Sequence, residues 1–244
     1  MTDLEEKIFL SLFSEIGNNA QKFRDVDYSI FPTLCGVKAQ GNLMILGRAP
    51  NGWYLNFSPK SLSSQDSRDT LLLKMRESVD PSKKCPMQWD TDYNINLSPF
   101  WRTIRQVSND LDVADITSSD WKSYLIWSNL YRIAPLVTGN PSSRIRNLQF
   151  KYCQELMEGE LIVYRPKRLL LLTGMDWASP FLMDNRFLFR YDTFGKYVQA
   201  FGSLKVQRDG LVIDTVVSKH PQGKPERTLS QEIIQAFQKM RAGS

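Results

Sequence analysis

Short, continuous apolar runs alternate with helical segments along this chain of 244 residues. The plainest run lies at 168–172, where four leucines follow Arg168 before Thr173-Gly174 ends the apolar stretch. Such a run is typical of a strand covered on both faces, as in a parallel sheet flanked by helices. The alternation of these strands with helices therefore predicts an α/β fold with a mainly parallel sheet.

The apolar runs predict a central sheet of four strands within a three-layer α/β/α architecture. The strands are expected at 43–46, 125–127, 168–172 and 211–218. Helices are expected at 4–23, 70–77, 99–111, 120–124, 143–163 and 229–240, and from about residue 176. Residues 78–98, rich in Pro, Asp and Asn, predict a long surface excursion. No linker or repeat divides the chain, so we expect one domain over 1–244 with a helical segment at about 1–40.

Composition excludes several classes of site. The chain has one histidine, His220, and three cysteines far apart in sequence with no C-x-x-C spacing, so neither a metal nor a cofactor is expected. Unpaired thiols favour a reducing, cytoplasmic location, and the acidic start of the chain does not resemble a secretory signal. No apolar run reaches the roughly 18 residues of a membrane span, so no membrane association is expected.

The residues that follow the predicted strands are the places to look for a site, because open α/β sheets bind ligands beyond the carboxyl ends of their strands. They read GRAPNGW at 47–53, SNLYRIAP at 128–135, TGMDW at 173–177 and SKHPQGK at 218–224. We expect Gly47, Asn129 and His220, which end or follow three of these strands, to line one cleft.

The order of these motifs over about 40–240 resembles the uracil-DNA glycosylase superfamily. Gly47-Arg48-Ala49-Pro50 resembles its first motif, Gly-x-(Asp, Asn or Ala)-Pro, and His220-Pro221 resembles its last. The middle of the chain is similar to the iron–sulfur-bearing bacterial and archaeal branches of the family. The residues that carry this likeness are, in order, Asn129, Pro135, Cys153, Pro166-Lys167 and Gly174.

The resemblance implies a uracil-DNA glycosylase-like fold and hydrolysis of the N-glycosidic bond of uracil, or of a related deaminated base, in DNA. His220 would stabilise the departing base, since a histidine N–H can donate to the base carbonyl. Asn129 would read the base, because an amide offers both a donor and an acceptor. The base pocket would be shaped by the first motif, namely Gly47, Arg48, Ala49 and Pro50.

The chain also departs from the family pattern. Three cysteines are too few for the four that the cluster-bearing branches use, so no iron–sulfur cluster is expected. Ala49 stands where many members carry an Asp or Asn that positions the attacking water, although one branch has Ala there. Arg48 stays protonated and cannot act as a general base. Asn51 is the nearest polar substitute and is the second catalytic candidate.

Aromatic and basic residues complete the predicted site. Trp53 and Phe57, together with Tyr54, are candidates for a ring that stacks on a flipped base, although aromatic residues also build cores. Residues 121–154 contain five basic and no acidic side chains, which favours binding to a polyanion. We expect DNA as the partner of a monomeric protein, with phosphate contacts from Arg132, Arg144, Lys219 and Lys224.

Two other functions remain open at this point. Ala49 favours a non-catalytic nucleic-acid-binding protein that keeps the glycosylase fold. A weaker alternative is an α/β protein that binds a small phosphorylated ligand, for which the glycine-containing loop at 47–52 would supply backbone N–H groups. Two purely structural interpretations also remain open: Asn129 caps a local turn, and His220 is a residue of a surface loop.

Overall fold

The computed structural model describes residues 1–52, 55–80, 94–137 and 139–242. These residues form a mixed α/β structure with six α-helices: α1 (Asp3–Asn18), α2 (Gln65–Val79), α3 (Pro99–Asp110), α4 (Ser143–Tyr164), α5 (Met175–Leu182) and α6 (Glu226–Ala242). The strands among them are β1 (Tyr28–Ile30), β2 (Leu34–Cys35), β3 (Met44–Gly47), β4 (Asn56–Phe57), β5 (Ile126–Asn129), β6 (Ile133–Pro135), β7 (Arg168–Leu171), β8 (Phe187–Phe194), β9 (Val198–Val206) and β10 (Val212–Ser218).

The larger sheet has the strand order β2-β5-β3-β7-β10-β9-β8. Strand β7 pairs in parallel with both β3 and β10, and the register aligns Leu46, Leu171 and Val217 in one row. The side chains of these three residues are fully buried, as expected for strands covered on both faces. The carboxyl ends of the three parallel strands therefore lie together at one edge of the sheet, which we call the carboxyl edge.

Seven strands, rather than the predicted four, form this sheet. The four predicted strands correspond to β3, β5, β7 and β10, and the additional ones are β2, β8 and β9. Each additional strand pairs antiparallel with its neighbour. The prediction of four was wrong because β2 has only two residues and β8 buries only Phe187 and Phe189 instead of forming a buried apolar run.

The predicted helices are confirmed with local shifts. Helix α1 begins with a capping box, in which the Thr2 hydroxyl accepts from the N–H of Glu5 and the Glu5 carboxylate accepts from the N–H of Thr2. It ends at Asn18, and strands β1 and β2 follow, so the segment 1–40 is only partly helical. Helix α2 begins at Gln65, earlier than predicted, and the helix predicted at 120–124 is instead a short 3₁₀ turn, Trp121–Tyr124. The predicted excursion at 78–98 falls largely on 81–93, outside the described residues.

The described residues group into two compact units, each drawn from separate stretches of sequence. The first unit comprises the described residues of 1–33, 48–84 and 128–160. It contains the small antiparallel sheet β4-β1-β6, α1, α2 and most of α4. The second unit comprises the described residues of 34–47, 85–127 and 161–244, with the parallel strands β3, β7 and β10. Within the described residues, no helix is long and apolar enough to cross a membrane.

Candidate functional site

The carboxyl edge of the second unit brings together the residues that follow three parallel strands. Gly47 ends β3 and Ser218 ends β10, with β7 between them. Two strand spacings separate these ends, which corresponds to about 10 Å. The turn after β7 is tied to the end of β10, because the N–H of Gly174 donates to the carbonyl of Ser218 at 2.9 Å. Gly174 has a φ of 82°, a left-handed conformation that glycine adopts without steric cost.

His220 lies two residues beyond β10 and is half-buried. Its Nδ1 accepts a hydrogen bond from the backbone N–H of Gln222 at 3.2 Å. A ring nitrogen that accepts a hydrogen bond carries no proton in the neutral imidazole, so the proton resides on Nε2. In the neutral imidazole, the local turn therefore makes Nε2 the donor atom of this histidine.

An aromatic cluster adjoins His220. The ring of Phe100 stacks on the imidazole, with 6.4 Å between centroids and 24° between planes. Phe100 also lies 6.3 Å from Trp127, and Trp101 meets Trp127 edge-on at 4.8 Å. This cluster places planar, apolar side chains beside His220.

The position of Phe100 depends on how α3 begins. Ser98 caps the helix through its hydroxyl, which accepts from the N–H of Trp101, and Pro99 occupies the first turn. Arg102 then donates to both carboxylate oxygens of Glu226 at the start of α6, with Nε to Oε2 at 2.6 Å. This hydrogen-bonded guanidinium lowers the pKa of Glu226. The start of α3 is thus anchored to the helix that follows the His220 loop.

Phe100 was not among the predicted site residues. The Ser98-Pro99 sequence does signal a helix start, and it places Phe100 in the first turn. Its approach to His220, however, arises from packing between α3 and α6, whose sequences lie more than 100 residues apart. No local pattern carries that information.

Two of the predicted basic residues lie in the His220 loop. Lys219 is half-buried, and its Nζ lies 5.9 Å from the centroid of the Tyr197 ring, within the range of a cation–π contact. Its backbone N–H donates to the carbonyl of Tyr197 at 2.9 Å, which ties the loop to the β8–β9 turn. Lys224 is exposed. Both ammonium groups thus flank His220 in sequence, where they can attract a phosphate backbone.

Asn129, in the first unit, is the last residue of β5 and is only 3% exposed. Its Nδ2 is buried and has no hydrogen-bond partner among the described residues. A buried amide donor without a partner carries a desolvation penalty of about 1–3 kcal/mol. A bound ligand with a carbonyl group would remove that penalty, so the amide is a candidate recognition group.

The first-motif loop approaches Asn129 within the first unit. The N–H of Tyr131, two residues beyond Asn129, donates to the carbonyl of Arg48 at 3.0 Å. Arg48 and Ala49 of this loop are half-buried, Pro50 is buried, and Asn51 and Gly52 are exposed. Trp53 and Tyr54 lie outside the described residues.

The structure corrects one predicted site residue. Arg132 is fully buried and forms an ion pair with Glu160 at 2.7 Å, so the prediction that it contacts DNA phosphate is wrong. Phe57 is 7% exposed and packs 6.3 Å from Tyr28 in the small sheet, and its assignment as a base-stacking ring stays a prediction. Residue type alone suggested that Arg132 contacts phosphate, and its burial excludes that role. Arg144, on the first turn of α4, is exposed as a phosphate contact requires.

The remaining candidates are divided between the two units. Gly47 and His220 belong to the second unit, and Asn129 belongs to the first. The cleft expected from Gly47, Asn129 and His220 stays a prediction. Among the described residues, no group of three or more His, Cys, Asp or Glu side chains could hold a metal ion.

Comparison with known proteins gives no functional assignment, so the assignment rests on the residues of this chain. No protein-family model matches this chain, and no curated protein matches it significantly.

Proposed function

We propose that this protein is a DNA N-glycosylase that hydrolyses the bond between deoxyribose and uracil or a related deaminated base. The observation that carries the proposal is His220, a half-buried histidine beyond β10 whose Nδ1 accepts from Gln222 and whose Nε2 therefore donates. An imidazole N–H suits a base that becomes anionic as it leaves.

The proposed reaction breaks the bond between C1′ and the base nitrogen. The electron pair of that bond leaves with the base, and the oxygen of a water molecule bonds to C1′ while its proton passes to solvent. The sugar is cationic and the base anionic in the transition state. His220 donates from Nε2 to the base carbonyl that gains charge, and this interaction strengthens only as the bond breaks.

Recognition of the base is assigned to Asn129 and Phe100. The unpartnered Nδ2 of Asn129 supplies the donor that a uracil carbonyl requires, and its Oδ1 supplies an acceptor for the ring N–H. Phe100 offers the aromatic face beside His220. These roles rest on the chemistry of each side chain in its own unit.

Activation of the water is assigned to the first-motif loop. Ala49 has no group that can accept a proton or orient water, whereas Asn51 is polar and exposed on the same loop. We give Asn51 the role of positioning water through its side-chain amide. An oxocarbenium-like sugar reacts with water readily, so positioning the water has to lower the activation free energy less than stabilising the departing base does.

A uracil-DNA glycosylase-like architecture is part of the proposal. Strands β5, β3, β7 and β10 would be its central four, flanked by helices in three layers, with β2, β8 and β9 as additions at the ends of the sheet. Its support is the order β5-β3-β7-β10 and the parallel pairing of the last three strands.

A second candidate is a non-catalytic DNA-binding protein with the same fold. The observation in its favour is Ala49, which removes the side chain that positions water in many proteins of the family that the sequence resembles. It predicts DNA binding without release of any base.

Base release from oligonucleotides separates the two functions. Purified protein is incubated with single-stranded and duplex DNA that carries one uracil, hypoxanthine or xanthine, with thymine at the same position as the control. A glycosylase releases free base and leaves an alkali-labile site only in the modified strands. Binding to all strands with no release from any of them would reject the glycosylase and favour the binding protein.

A further inference from the structure

A buried polar cluster underlies the turn between β5 and β6 in the first unit. Its members are Thr33, Ser128, Arg132 and Glu160, and each is at most 6% exposed. Arg132 forms an ion pair with Glu160 at 2.7 Å, and it also donates to the hydroxyls of Thr33, at 3.0 Å, and of Ser128. Ser128 donates in turn to Glu160 at 3.2 Å. We call these four residues the Arg132–Glu160 cluster.

Gln149 on α4 fixes the other side of the same turn. Its Oε1 accepts from the backbone N–H groups of Arg132 and Ile133, each at 2.9 Å. Its Nε2 donates to the carbonyl of Ile133 at 2.8 Å. The backbone is thus held immediately after the turn by a side chain that uses both of its polar atoms.

The residues that form these bonds lie on both sides of Asn129 in the sequence. Ser128 precedes it, Arg132 follows it by three residues, and both side chains meet at Glu160. Between them, the N–H of Tyr131 is bound to Arg48. The short segment that carries the Asn129 amide is therefore fixed at both ends, while its Nδ2 has no partner among the described residues.

A buried ion pair stabilises a fold only at a large cost in desolvation free energy. Removing two charges from water costs more free energy than apolar packing of the same volume, and apolar replacements of such pairs are often neutral or stabilising. The pair does fix the relative orientation of its two side chains, because a guanidinium and a carboxylate accept few relative geometries. The cluster is better explained by the orientation that it imposes on its residues than by a contribution to the free energy of unfolding.

We propose that the Arg132–Glu160 cluster is a positioning device that orients the Asn129 amide toward its ligand. Arg132, Glu160 and Ser128 are positioning residues, since they act through Asn129. The inference rests on the proposed function in one respect, namely that the ligand of Asn129 is a base in DNA.

The test uses variants that keep the interior filled. Arg132→Met combined with Glu160→Leu replaces the pair by apolar side chains of similar size. Ser128→Ala is the gentler variant, since it removes only the hydroxyl next to Asn129. The combination Arg76→Met with Glu6→Leu is the matched control, because it removes an Arg–Glu pair of the same unit that joins α1 to α2.

The first readout is the order parameter of the Asn129 side-chain amide, measured by NMR on protein labelled with ¹⁵N-asparagine. Its signal is assigned by its loss in Asn129→Ala. We expect a rigid amide in the wild type and the control pair, and an order parameter below about 0.6 in Ser128→Ala and in the double variant. An unchanged order parameter in Ser128→Ala overturns the inference even if the double variant does not fold. This measurement does not require base release, so it tests the positioning role even if the wild type releases no base.

The second readout is single-turnover base release in a double-mutant cycle. We expect Ser128→Ala to slow release about tenfold with DNA affinity within about twofold, and to cause no further loss when Asn129 is already Ala. An equal loss in the Asn129→Ala background would mean that Ser128 does not act through Asn129, and would overturn the inference. Absence of release by the wild type rejects the proposed function alone.

Discussion

Asn129 carries a buried amide nitrogen to which no described residue offers an acceptor. Most buried polar atoms in proteins are hydrogen-bonded, and an exception calls for an explanation. A residue that served the fold alone would be expected to use both of its polar atoms, as Gln149 does. The difference between these two buried amides supports a role for Asn129 in binding.

Substitution of Asn129 by Asp should change recognition more than stability. A carboxylate has no donor, so we expect Asn129→Asp to abolish or shift base preference in the release assay. Asn129→Ala should slow release without lowering the free energy of unfolding by more than about 1 kcal/mol, because it also removes the desolvation penalty of a donor that has no partner. Asn147→Asp, at an exposed position of α4, is the control. Unchanged preference in Asn129→Asp would rule out the reading role.

Cys153 illustrates a residue whose chemistry is suppressed by burial. Complete burial raises the pKa of its thiol to about 12. At pH 8 its thiolate fraction is then about three orders of magnitude below that of an exposed cysteine. We expect the peptide that contains Cys153 to escape iodoacetamide in the native protein and to react in denaturant, as measured by mass spectrometry. Native-state modification at the rate of a free thiol would contradict this burial.

The site residues that could be predicted are those that follow apolar runs. His220 is marked by the end of the β10 run, and Asn129 by the end of β5, because the chain must leave the sheet there. Arg132 could not be placed in this way. Its partner Glu160 lies 28 residues away on α4, and only the packed structure shows that the two charges neutralise each other.

At the scale of elements, the buried strands and the long helices were predictable, whereas the β8–β9 hairpin was not. Strands β3 and β7 contain continuous apolar runs, which a sequence displays directly, whereas Asp214 and Thr215 interrupt the apolar residues of β10. Strand β8 buries Phe187 and Phe189 but exposes Leu188 and Arg190, so it forms no continuous buried run. Its pairing with β9 is a tertiary property, and a hairpin without a strong turn signal gives little local evidence.

The pairing of α3 with α6 through Arg102 and Glu226 makes an acid-sensitive contact. The folded-state pKa of Glu226 lies below its ordinary value, so the pair contributes stability above the unfolded pKa near 4.5 and loses it as pH falls through the folded pKa. The side chains are about one-third exposed, so the contribution is small.

We expect Glu226→Gln to lower Tm by about 1–3 °C at pH 7, and the difference from the wild type to shrink as pH falls below 4.5. Thermal unfolding followed by circular dichroism from pH 3 to pH 7 measures both curves. Glu155→Gln, an exposed substitution on α4, controls for the loss of one negative charge. A constant difference in Tm across this range would contradict the assigned ion pair.

At the scale of the whole molecule, the formal charge of +5 is modest, so the proposed DNA binding depends on where the basic side chains lie. The structure leaves Arg144 and Lys224 exposed and Lys219 half-exposed, and it removes Arg132 from this set. The grouping of three separate stretches into each unit is likewise a whole-molecule property that no local sequence pattern predicts.

DNA binding should weaken steeply with salt. With the three phosphate contacts that remain, log Kd against log salt concentration should have a slope magnitude of about 3. Replacing Arg144, Lys219 or Lys224 by Gln should each reduce that slope by about one, as measured by fluorescence anisotropy with a labelled oligonucleotide. Lys7→Gln, an exposed change on α1, should leave it unchanged. Affinity independent of salt would rule out the proposed phosphate contacts.

The central claim is that His220 stabilises a base as it leaves, and a paired measurement on His220→Ala tests it most directly. Single-turnover uracil release and DNA affinity are measured for the wild type, for His220→Ala and for Asn185→Ala, an exposed control. The account predicts that the wild type and the control release uracil. It also predicts that His220→Ala is slower by about a hundredfold or more, while its affinity changes by less than about threefold. Equal release by His220→Ala, or no release by the wild type, would contradict the account.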